Sequence, residues 1–167
     1  MDKFELGVFI GRFQPFHKGH WWNLEQVLKR AKKIVIIVGS IQEKGTRVNP
    51  WGFEERKKMV EKALKKLRKE DRERILGIGG VMDYPRDEDW VQAVKQEIER
   101  LGGEVSDWSQ VVVVGNNEWT NRSLEEIGGL SVWRSGLYRR DLYEGKKIRK
   151  LIEDGDERWK ERVVDKV

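Results

Sequence analysis

Two histidines placed three residues apart form the most chemically informative pattern in the sequence, and the chain has no others. His17 and His20 lie in residues 11–20, which also contain Arg12 and Lys18. This segment follows an apolar run and precedes residues at helical spacing, so it joins a strand to the N-terminus of a helix. Free N–H groups and the macrodipole at such a terminus attract anions. Because imidazole, guanidinium and ammonium groups add further donors, the segment predicts a polyphosphate site.

Apolar runs of strand length alternate with helical patterns along the sequence. Strand-like runs occupy residues 6–10, 34–38, 75–79, 111–114 and, more weakly, 131–133. Apolar residues at helical spacing occupy 22–31, 53–67, 90–101 and 123–127, and a helical pattern continues from about residue 145 onward. Continuous apolar strands indicate a parallel sheet that is covered on both faces. We therefore predict an α/β fold: a single Rossmann-like doubly wound parallel sheet with a helical C-terminal segment, in one domain over residues 1–167.

Each polar motif follows one of the predicted strands. His17 and His20 come after the first strand, Ser40 after the second, Asp83 after the third and Asn116 after the fourth. In doubly wound sheets, ligands bind beyond the carboxyl ends of the strands, where the strand order reverses. These side chains are therefore expected to converge on one edge of the sheet.

The composition excludes several classes of function. No cysteine is present, which rules out disulfides, thiolate catalysis and cysteine-ligated zinc, and two histidines do not make a dedicated transition-metal site. No apolar run approaches the roughly 20 residues that span a bilayer, and the N-terminus lacks the apolar core of a signal peptide, so we expect a soluble, cytoplasmic protein without a membrane partner. Basic residues number 34 and acidic residues 29. They alternate at i,i+4 spacing, as in Glu54/Lys58 and Glu61/Lys65, which favours a solvated, ion-paired surface over a nucleic-acid partner.

Residues 11–20 resemble the signature of the HxGH nucleotidyltransferase superfamily, in the form typical of archaeal-type nicotinamide mononucleotide adenylyltransferases. Further segments that resemble motifs of this family are Gly39-Ser40-Ile41-Gln42, Asn49-Pro50-Trp51-Gly52-Phe53-Glu54-Glu55-Arg56, the spacing from Asp83 to Trp90, Gly115-Asn116-Asn117, and Tyr143-Glu144-Gly145-Lys146-Lys147-Ile148-Arg149. The resemblance covers nearly the whole chain. It implies that AMP is transferred from ATP to nicotinamide mononucleotide, giving NAD and pyrophosphate. It also implies Mg²⁺ held by the substrate phosphates and a homo-oligomeric assembly.

The residues and the resemblance together predict three groups of site residues. The catalytic side chains would bind the phosphates and neutralise their charge: His17, His20, Arg12, Lys18 and Arg149. The ATP-binding residues would be Gly11, Phe13, Gln14, Gly19, Gly115, Asn116, Lys146 and Ile148. The acceptor-binding residues would be Ser40, Asp83, Asp87, Trp90 and Asn117. Because a phosphate monoester has a second pKa of about 6 and is largely dianionic near pH 7, its attack on the α-phosphorus requires alignment and charge neutralisation rather than a general base.

Three departures from the family pattern bear on the acceptor. Glu144 and Lys146 replace a serine and a threonine that would bind phosphate. Asp87 replaces an asparagine, and an ionised carboxylate only accepts hydrogen bonds whereas an amide also donates them. Trp51-Gly52 replaces Phe-Thr beside the nucleoside pocket. These changes leave open a sibling nucleotidyltransferase with another phosphorylated acceptor or with CTP as donor, a nucleotide-binding relative without catalysis, and either the amide or the acid form of the mononucleotide.

Four of the predicted site residues also suit ordinary structural roles. Trp90 begins an apolar helix stripe, so it fits core packing as well as stacking on a pyridine or purine ring. Asp83 precedes Pro85 and fits a turn. Lys18 and Arg149 fit solvated positions on helix surfaces. The sequence alone does not choose between these roles.

Overall fold

Five parallel strands form the sheet that positions the site, in a computed structural model that describes residues 3–134 and 138–164. The strands are β1 (Phe4–Gly11), β2 (Ala31–Val38), β3 (Ile75–Gly80), β4 (Val111–Val114) and β5 (Ser131–Trp133). Their order in the sheet is β3-β2-β1-β4-β5. The chain therefore builds outward from β1 in both directions, and the order reverses between β1 and β4. This is the switch point of a doubly wound sheet, so the predicted fold class is confirmed.

Six α-helices accompany the sheet in the described part of the chain. They are α1 (Lys18–Arg30), α2 (Phe53–Leu64), α3 (Lys69–Arg72), α4 (Asp87–Gly102), α5 (Glu118–Glu126) and α6 (Gly145–Glu153), with 3₁₀ turns at Trp108–Gln110 and Glu157–Glu161. None of these helices is long and apolar enough to cross a membrane. The helices cover the sheet on both sides, as the unbroken apolar strands predicted.

Alternate residues of the inner strands belong to two separate cores. Val35 and Ile37 of β2 pack in one core with residues of α4 and α5. Ile34 and Ile36 pack in the other core with residues of α1 and α2. Successive side chains of a strand point to opposite faces, so both faces of β2 must be apolar. The result is a sheet held rigidly from both sides, with its loops free to carry polar groups.

The structure departs from the predicted elements at three places. The predicted C-terminal helix stops at Glu153 rather than continuing, and Gly155 follows with a φ of 67°. The helix predicted near residue 123 begins already at Glu118, because the Asn117 side chain caps it by accepting a hydrogen bond from the Thr120 N–H. The short α3 lacks an apolar stripe and was not predicted.

The predicted i,i+4 ion pairs of α2 do not form. Glu54 and Lys58 make no ion pair within 4.0 Å, and neither do Glu61 and Lys65, although all four residues are exposed and described. An exposed pair gains little Coulomb energy in water and loses side-chain entropy when it is held in one geometry. The charged surface of α2 is therefore solvated, as predicted, without these specific pairs.

Candidate active site

A cleft of about 1510 Å³ opens at the carboxyl ends of β1, β2 and β4. It is lined by most of the predicted site residues: Gly11, Arg12, Phe13, Gln14, His17, His20, Ser40, Asp83, Trp90, Gly115, Asn116, Asn117, Lys146 and Arg149. The register of the sheet brings these loops level, because Gly11 pairs with Val38 and Phe9 pairs with Val114. The expected convergence of the polar motifs on one edge of the sheet is thus present.

Four predicted residues do not line the cleft, each for a different reason. The Lys18 side chain is exposed to solvent, and Ile148 is fully buried. Asp87 lies in the first turn of α4, where a carboxylate interacts favourably with the helix dipole. Gly19 packs beneath the His17 ring, since a Cβ there would lie 2.9 Å from His17 Cε1. Gly19 therefore acts on the site through the position of His17.

The N-terminus of α1 uses its N–H groups internally. His17 Nδ1 accepts hydrogen bonds from the N–H groups of Gly19 (3.1 Å) and His20 (3.3 Å). The Lys18 N–H donates to the carbonyl oxygen of Arg162 (3.0 Å). The sequence predicted that free N–H groups of this helix would contact a phosphate, but in the structure these donors already have partners. An anion in the cleft would therefore contact the imidazole side chains rather than these N–H groups.

The same hydrogen bonds determine the tautomer of both histidines. The His17 N–H donates to His20 Nδ1 (3.2 Å), so the Nδ1 atoms of both His17 and His20 are acceptors. A neutral imidazole with an accepting Nδ1 carries its proton on Nε2. The two rings stack with centroids 3.7 Å apart and an interplanar angle of 20°. The cleft thus contains two parallel Nε2–H donors at the positive end of a helix.

Both histidines are neutral in the free protein. Burial, together with the nearby charge of Arg149, lowers the pKa of His17 to about 3. Burial, and then the neighbouring His17, hold the pKa of His20 well below its ordinary value. Phe13 and Phe16 enclose the His20 ring, with centroids 4.9 and 5.5 Å away. A neutral imidazole donates a hydrogen bond to phosphate without a proton having to be taken up first.

We expect acidification to destabilise the protein through these histidines. The unfolded chain binds a proton on His17 below its ordinary pKa of 6.5, whereas the folded chain does so only near 3, so stability falls as pH decreases across this window. From pH 7 to pH 5, His17 alone accounts for a loss of about 2 kcal/mol. Urea unfolding at pH 7 and pH 5 measures this loss of unfolding free energy. His17→Asn, which can still cap the helix, should show a smaller loss, and an equal loss in the variant would contradict the assignment.

Cationic side chains from α6 form a second wall of the cleft, beside the histidine loop. Arg149 Nη1 donates to the carbonyl oxygen of Gln14 (2.7 Å), which fixes its guanidinium against the histidine loop. Lys146 and other basic residues at the start of α6 also line the cleft. The Glu144 carboxylate, which would repel a polyphosphate, pairs instead with Arg140 Nε (3.2 Å) and Lys147 Nζ (3.7 Å). The unfavourable charge introduced by Glu144 is therefore compensated locally.

A third wall of the cleft contains the Asp83 carboxylate, which Ser40 and Gln42 hold in place. The Asp83 carboxylate accepts hydrogen bonds from Ser40 Oγ (2.9 Å) and Gln42 Nε2 (2.7 Å). The Asp83 N–H in turn donates to Gln42 Oε1 (3.1 Å). The Ser40 backbone lies in the left-handed region, with a φ of 51°. Asp83 is thereby oriented by residues that follow β2, and it presents lone pairs to a ligand that brings N–H or O–H donors.

Trp90 and Trp119 both line the cleft, and only Trp90 was predicted from the sequence. Trp90 is 6% exposed and packs in the core with Val91 and Val94, so core packing describes most of its ring. Trp119, in the first turn of α5, is 52% exposed and also lines the cleft. The two rings lie 5.8 Å apart at 43°. Trp119 therefore offers the accessible ring face that the sequence analysis attributed to Trp90.

The remaining predicted residues have defined hydrogen-bond partners at the edge of β4. Asn116 Oδ1 accepts from Asn23 Nδ2 (2.7 Å), a residue of α1 that the sequence analysis did not identify. Asn117 caps α5, as described above.

Arg47 was also not predicted from the sequence. It lines the cleft and binds Glu153 with both its Nε (2.9 Å) and its Nη2 (3.1 Å). Its sequence context, a polar loop, contained no signal that separated it from other surface arginines.

A doubly wound sheet with two imidazole donors and a cationic helix at its switch point defines a nucleotidyltransferase. The chain belongs to the cytidylyltransferase-like family, whose sequence model matches residues 8–101. It is 33% identical to the nicotinamide/nicotinic acid mononucleotide adenylyltransferase of Acinetobacter baylyi, over 93% of this chain and 84% of the relative. It is 35% identical to the nicotinamide-nucleotide adenylyltransferase of Methanothrix thermoacetophila, over 96% of this chain and 85% of the relative.

Among solved structures, the chain is similar to a bifunctional NMN adenylyltransferase/ADP ribose pyrophosphatase from Francisella tularensis, which was crystallised with AMP and a manganese ion. The TM-score is 0.80 at 26% identity, over 98% of this chain. The present chain spans only 45% of that bifunctional protein. The similarity thus concerns a part of that protein and not its two activities together.

Proposed function

We propose that the protein transfers AMP from ATP to nicotinamide mononucleotide, giving NAD and pyrophosphate. The observation that carries this proposal is the stacked pair of neutral, Nε2-protonated imidazoles in a cleft that the cationic start of α6 also lines. The relatives named for this activity match the chain over most of its length. We further propose that residues 1–167 act as one domain, in the cytoplasm, as a homo-oligomer.

The chemistry that this arrangement supports is an in-line displacement at phosphorus. An oxygen of the acceptor's phosphate forms a bond to the α-phosphorus of ATP, and the bond from the α-phosphorus to the bridging oxygen of the β-phosphate breaks. Pyrophosphate leaves with that electron pair. His17 and His20 would donate from Nε2 to phosphate oxygens, while Arg149 and the start of α6 would stabilise the negative charge that accumulates on pyrophosphate. No proton has to be removed from the nucleophile, which agrees with neutral, donating histidines.

Magnesium would enter with its nucleotide. Mg²⁺ prefers oxygen ligands and usually retains several waters. No group of three or more histidine, aspartate or glutamate side chains in residues 3–134 and 138–164 is arranged to hold a metal. The carboxylates of the cleft are already engaged, Asp83 by Ser40, Glu144 by Arg140 and Glu153 by Arg47. We therefore propose that the substrate is MgATP, and that its ion supplies further charge neutralisation on the phosphates.

The acceptor's base would lie between Asp83 and Trp119. Asp83 accepts hydrogen bonds, so it suits the N–H donors of a carboxamide and disfavours the carboxylate of the acid form. Ser40 and Gln42 hold Asp83 in that orientation. Trp119 supplies an exposed ring face for stacking. Asn117, at the start of α5, lines the same side of the cleft.

Replacing Trp119 with alanine should raise the KM for nicotinamide mononucleotide by about 5- to 10-fold, the equivalent of about 1 kcal/mol of aromatic stacking. The KM for ATP should change by less than a factor of two, roughly the error of such a measurement. Steady-state kinetics with each substrate varied in turn measures both values. Trp119→Phe retains a ring and should recover most of the loss. Equal changes in both KM values would remove Trp119 from the acceptor site. Because Trp90 is buried, Trp90→Ala would confound the test with lost core packing.

The experiment that tests the proposed function is pyrophosphate release from MgATP with nicotinamide mononucleotide, with NAD identified as the product. NAD formed at catalytic rates supports the proposal. The same assay with CTP, or with other phosphorylated acceptors, tests whether the protein is a sibling nucleotidyltransferase with another donor or acceptor. The replacements at Glu144 and Lys146 are the reason for this alternative. ATP binding without turnover on any acceptor would favour a non-catalytic nucleotide-binding protein.

A further inference from the structure

A fully buried guanidinium lies against the carboxyl ends of β1 and β2, and none of the roles described above includes it. Arg56, in the second turn of α2, has an exposed fraction of 0%. Its Nη1 donates to the carbonyl oxygens of Arg12 (3.0 Å) and Gly39 (2.7 Å). Its Nη2 donates to the carbonyl oxygen of Ser40 (3.1 Å), and its Nε to that of Gly52 (3.2 Å). Four main-chain carbonyls from two loops, β1–α1 and β2–α2, therefore meet on one side chain.

Among the described residues, the charge of Arg56 has no counter-ion in contact with it. All four of its hydrogen bonds go to carbonyl oxygens, and no described carboxylate lies within ion-pair distance of it. A buried charge is costly unless hydrogen bonds compensate it, and ion pairing would lower that cost further. The nearby Arg12 adds repulsion, whereas Asp83 lies close enough to offset part of it. The four hydrogen bonds are therefore the main compensation for burying this charge.

The carbonyls that Arg56 binds belong to the segments that carry the site. Arg12 and its neighbours lead from β1 to the histidine loop, while Gly39 and Ser40 lead from β2 to the group that orients Asp83. The backbone turns sharply in both segments, with a φ of 53° at Phe13 and 51° at Ser40. Each such left-handed residue costs on the order of 1 kcal/mol. Arg56 supplies hydrogen bonds beside both turns and so holds them in register.

The carbonyls also have an electrostatic effect on a bound polyphosphate. Carbonyl oxygens at the carboxyl end of a strand carry partial negative charge and would repel phosphate oxygens nearby. By binding the carbonyl oxygens of Arg12, Gly39 and Ser40, Arg56 reduces that repulsion and adds a positive charge close to the cleft. Because Arg56 is fully buried, its charge is screened less than one on the surface.

We propose that Arg56 is a positioning residue for phosphoryl chemistry: it joins the histidine loop to the Ser40 loop and supplies a buried positive charge to the phosphate site. It acts through the main chain and through its field, without touching the substrate. This inference rests on the proposed function only to the extent that a phosphate-bearing nucleotide occupies the cleft.

Arg56→Lys and Arg56→Met test the two contributions separately, with inorganic pyrophosphate as the probe. Lysine keeps the charge but cannot make the same four bonds, so we expect its pyrophosphate Kd, measured by calorimetry, to stay within about 3-fold of wild type, while kcat falls at least about 10-fold. Methionine loses both contributions, so we expect a Kd raised at least about 10-fold and a larger fall in kcat. Circular dichroism and thermal unfolding report whether each variant is folded.

Arg74 provides a matched control at the opposite end of the sheet. Its guanidinium also binds main-chain carbonyls, those of Leu28, Ala31 and Lys32, where β2 begins. Arg74→Met should lower the thermal unfolding temperature without changing pyrophosphate affinity or kcat per folded molecule.

Two results would overturn the role of Arg56. The first is that both Arg56 variants fold and keep wild-type Kd and kcat. The second is that neither variant folds, which would make Arg56 a folding residue only. A wild-type protein that binds pyrophosphate but makes no NAD would contradict the proposed function, while the pyrophosphate Kd values would still decide the role of Arg56.

Discussion

Replacing His20 with alanine is expected to lower kcat by about 10²- to 10³-fold, the usual effect of removing one donor that stabilises developing charge in a preorganised site. His20 Nδ1 accepts the His17 N–H, so its proton lies on Nε2, and the variant lacks that donor. The His20 side chain makes no other hydrogen bond with the residues that the structure describes, and its loss should leave the protein folded. Single-turnover and steady-state rates of NAD formation measure the effect, with circular dichroism as the check on folding.

His17 provides an informative comparison with His20, because its side chain has two functions. Its Nδ1 caps α1 by accepting from Gly19 and His20, whereas His20 caps only the His17 N–H. His17→Ala should therefore lose a similar factor in kcat and, in addition, about 0.5–2 kcal/mol of stability. His20→Gln, which can place an amide N–H near the former Nε2, should recover part of the rate. A His20→Ala variant with near wild-type kcat would contradict the role of His20 as a hydrogen-bond donor to phosphate.

Replacing Arg149 with methionine should lower kcat/KM for ATP by about 10²-fold, since it removes a charge-assisted donor from the phosphate wall of the cleft. The guanidinium is half-buried and oriented by the carbonyl oxygen of Gln14, so it is already in place before a ligand binds. Arg149→Lys keeps the charge but lacks the planar guanidinium. Its kcat/KM for ATP should therefore lie between those of the wild type and Arg149→Met. Arg122→Met, an exposed arginine on α5, is the matched control and should retain wild-type kinetics.

The Arg149 variant also has an expected effect that does not depend on turnover. The charge of Arg149 contributes to the low pKa of His17, so its removal should move that pKa upward. Titration of the His17 ring signals by NMR measures the shift. A reduced rate with an unchanged His17 pKa would place Arg149 further from the imidazoles than the structure does.

The fold followed from the sequence because its signal is local. Residues 34–38 and 111–114 are apolar without interruption, which only a strand covered on both sides requires. The histidine site was predicted for a similar reason, since its residues are consecutive in the chain. The helix N–H groups that were predicted as further donors have partners within the chain, however. This was not foreseen because histidine is not among the usual N-cap residues, and because the partner of the Lys18 N–H is Arg162, far away in the sequence.

Residues whose role depends on tertiary packing could not be predicted in this way. Trp90 and Trp119 each lie in the first two turns of a helix, yet one is buried and the other exposed. Arg56 lies among charged residues of a helix that reads as a solvated surface, and only the loops folded over it make it internal. In each case the neighbours that decide exposure come from other segments of the chain.

The bond between the Lys18 N–H and the Arg162 carbonyl has a consequence for the order of folding during synthesis. Lys18 leaves the ribosome long before Arg162. The histidine loop can therefore form its local capping bonds while the chain is still growing, but the Lys18 N–H acquires its partner only after Arg162 has emerged. A nascent chain would accordingly contain the sheet before it contains a finished phosphate site.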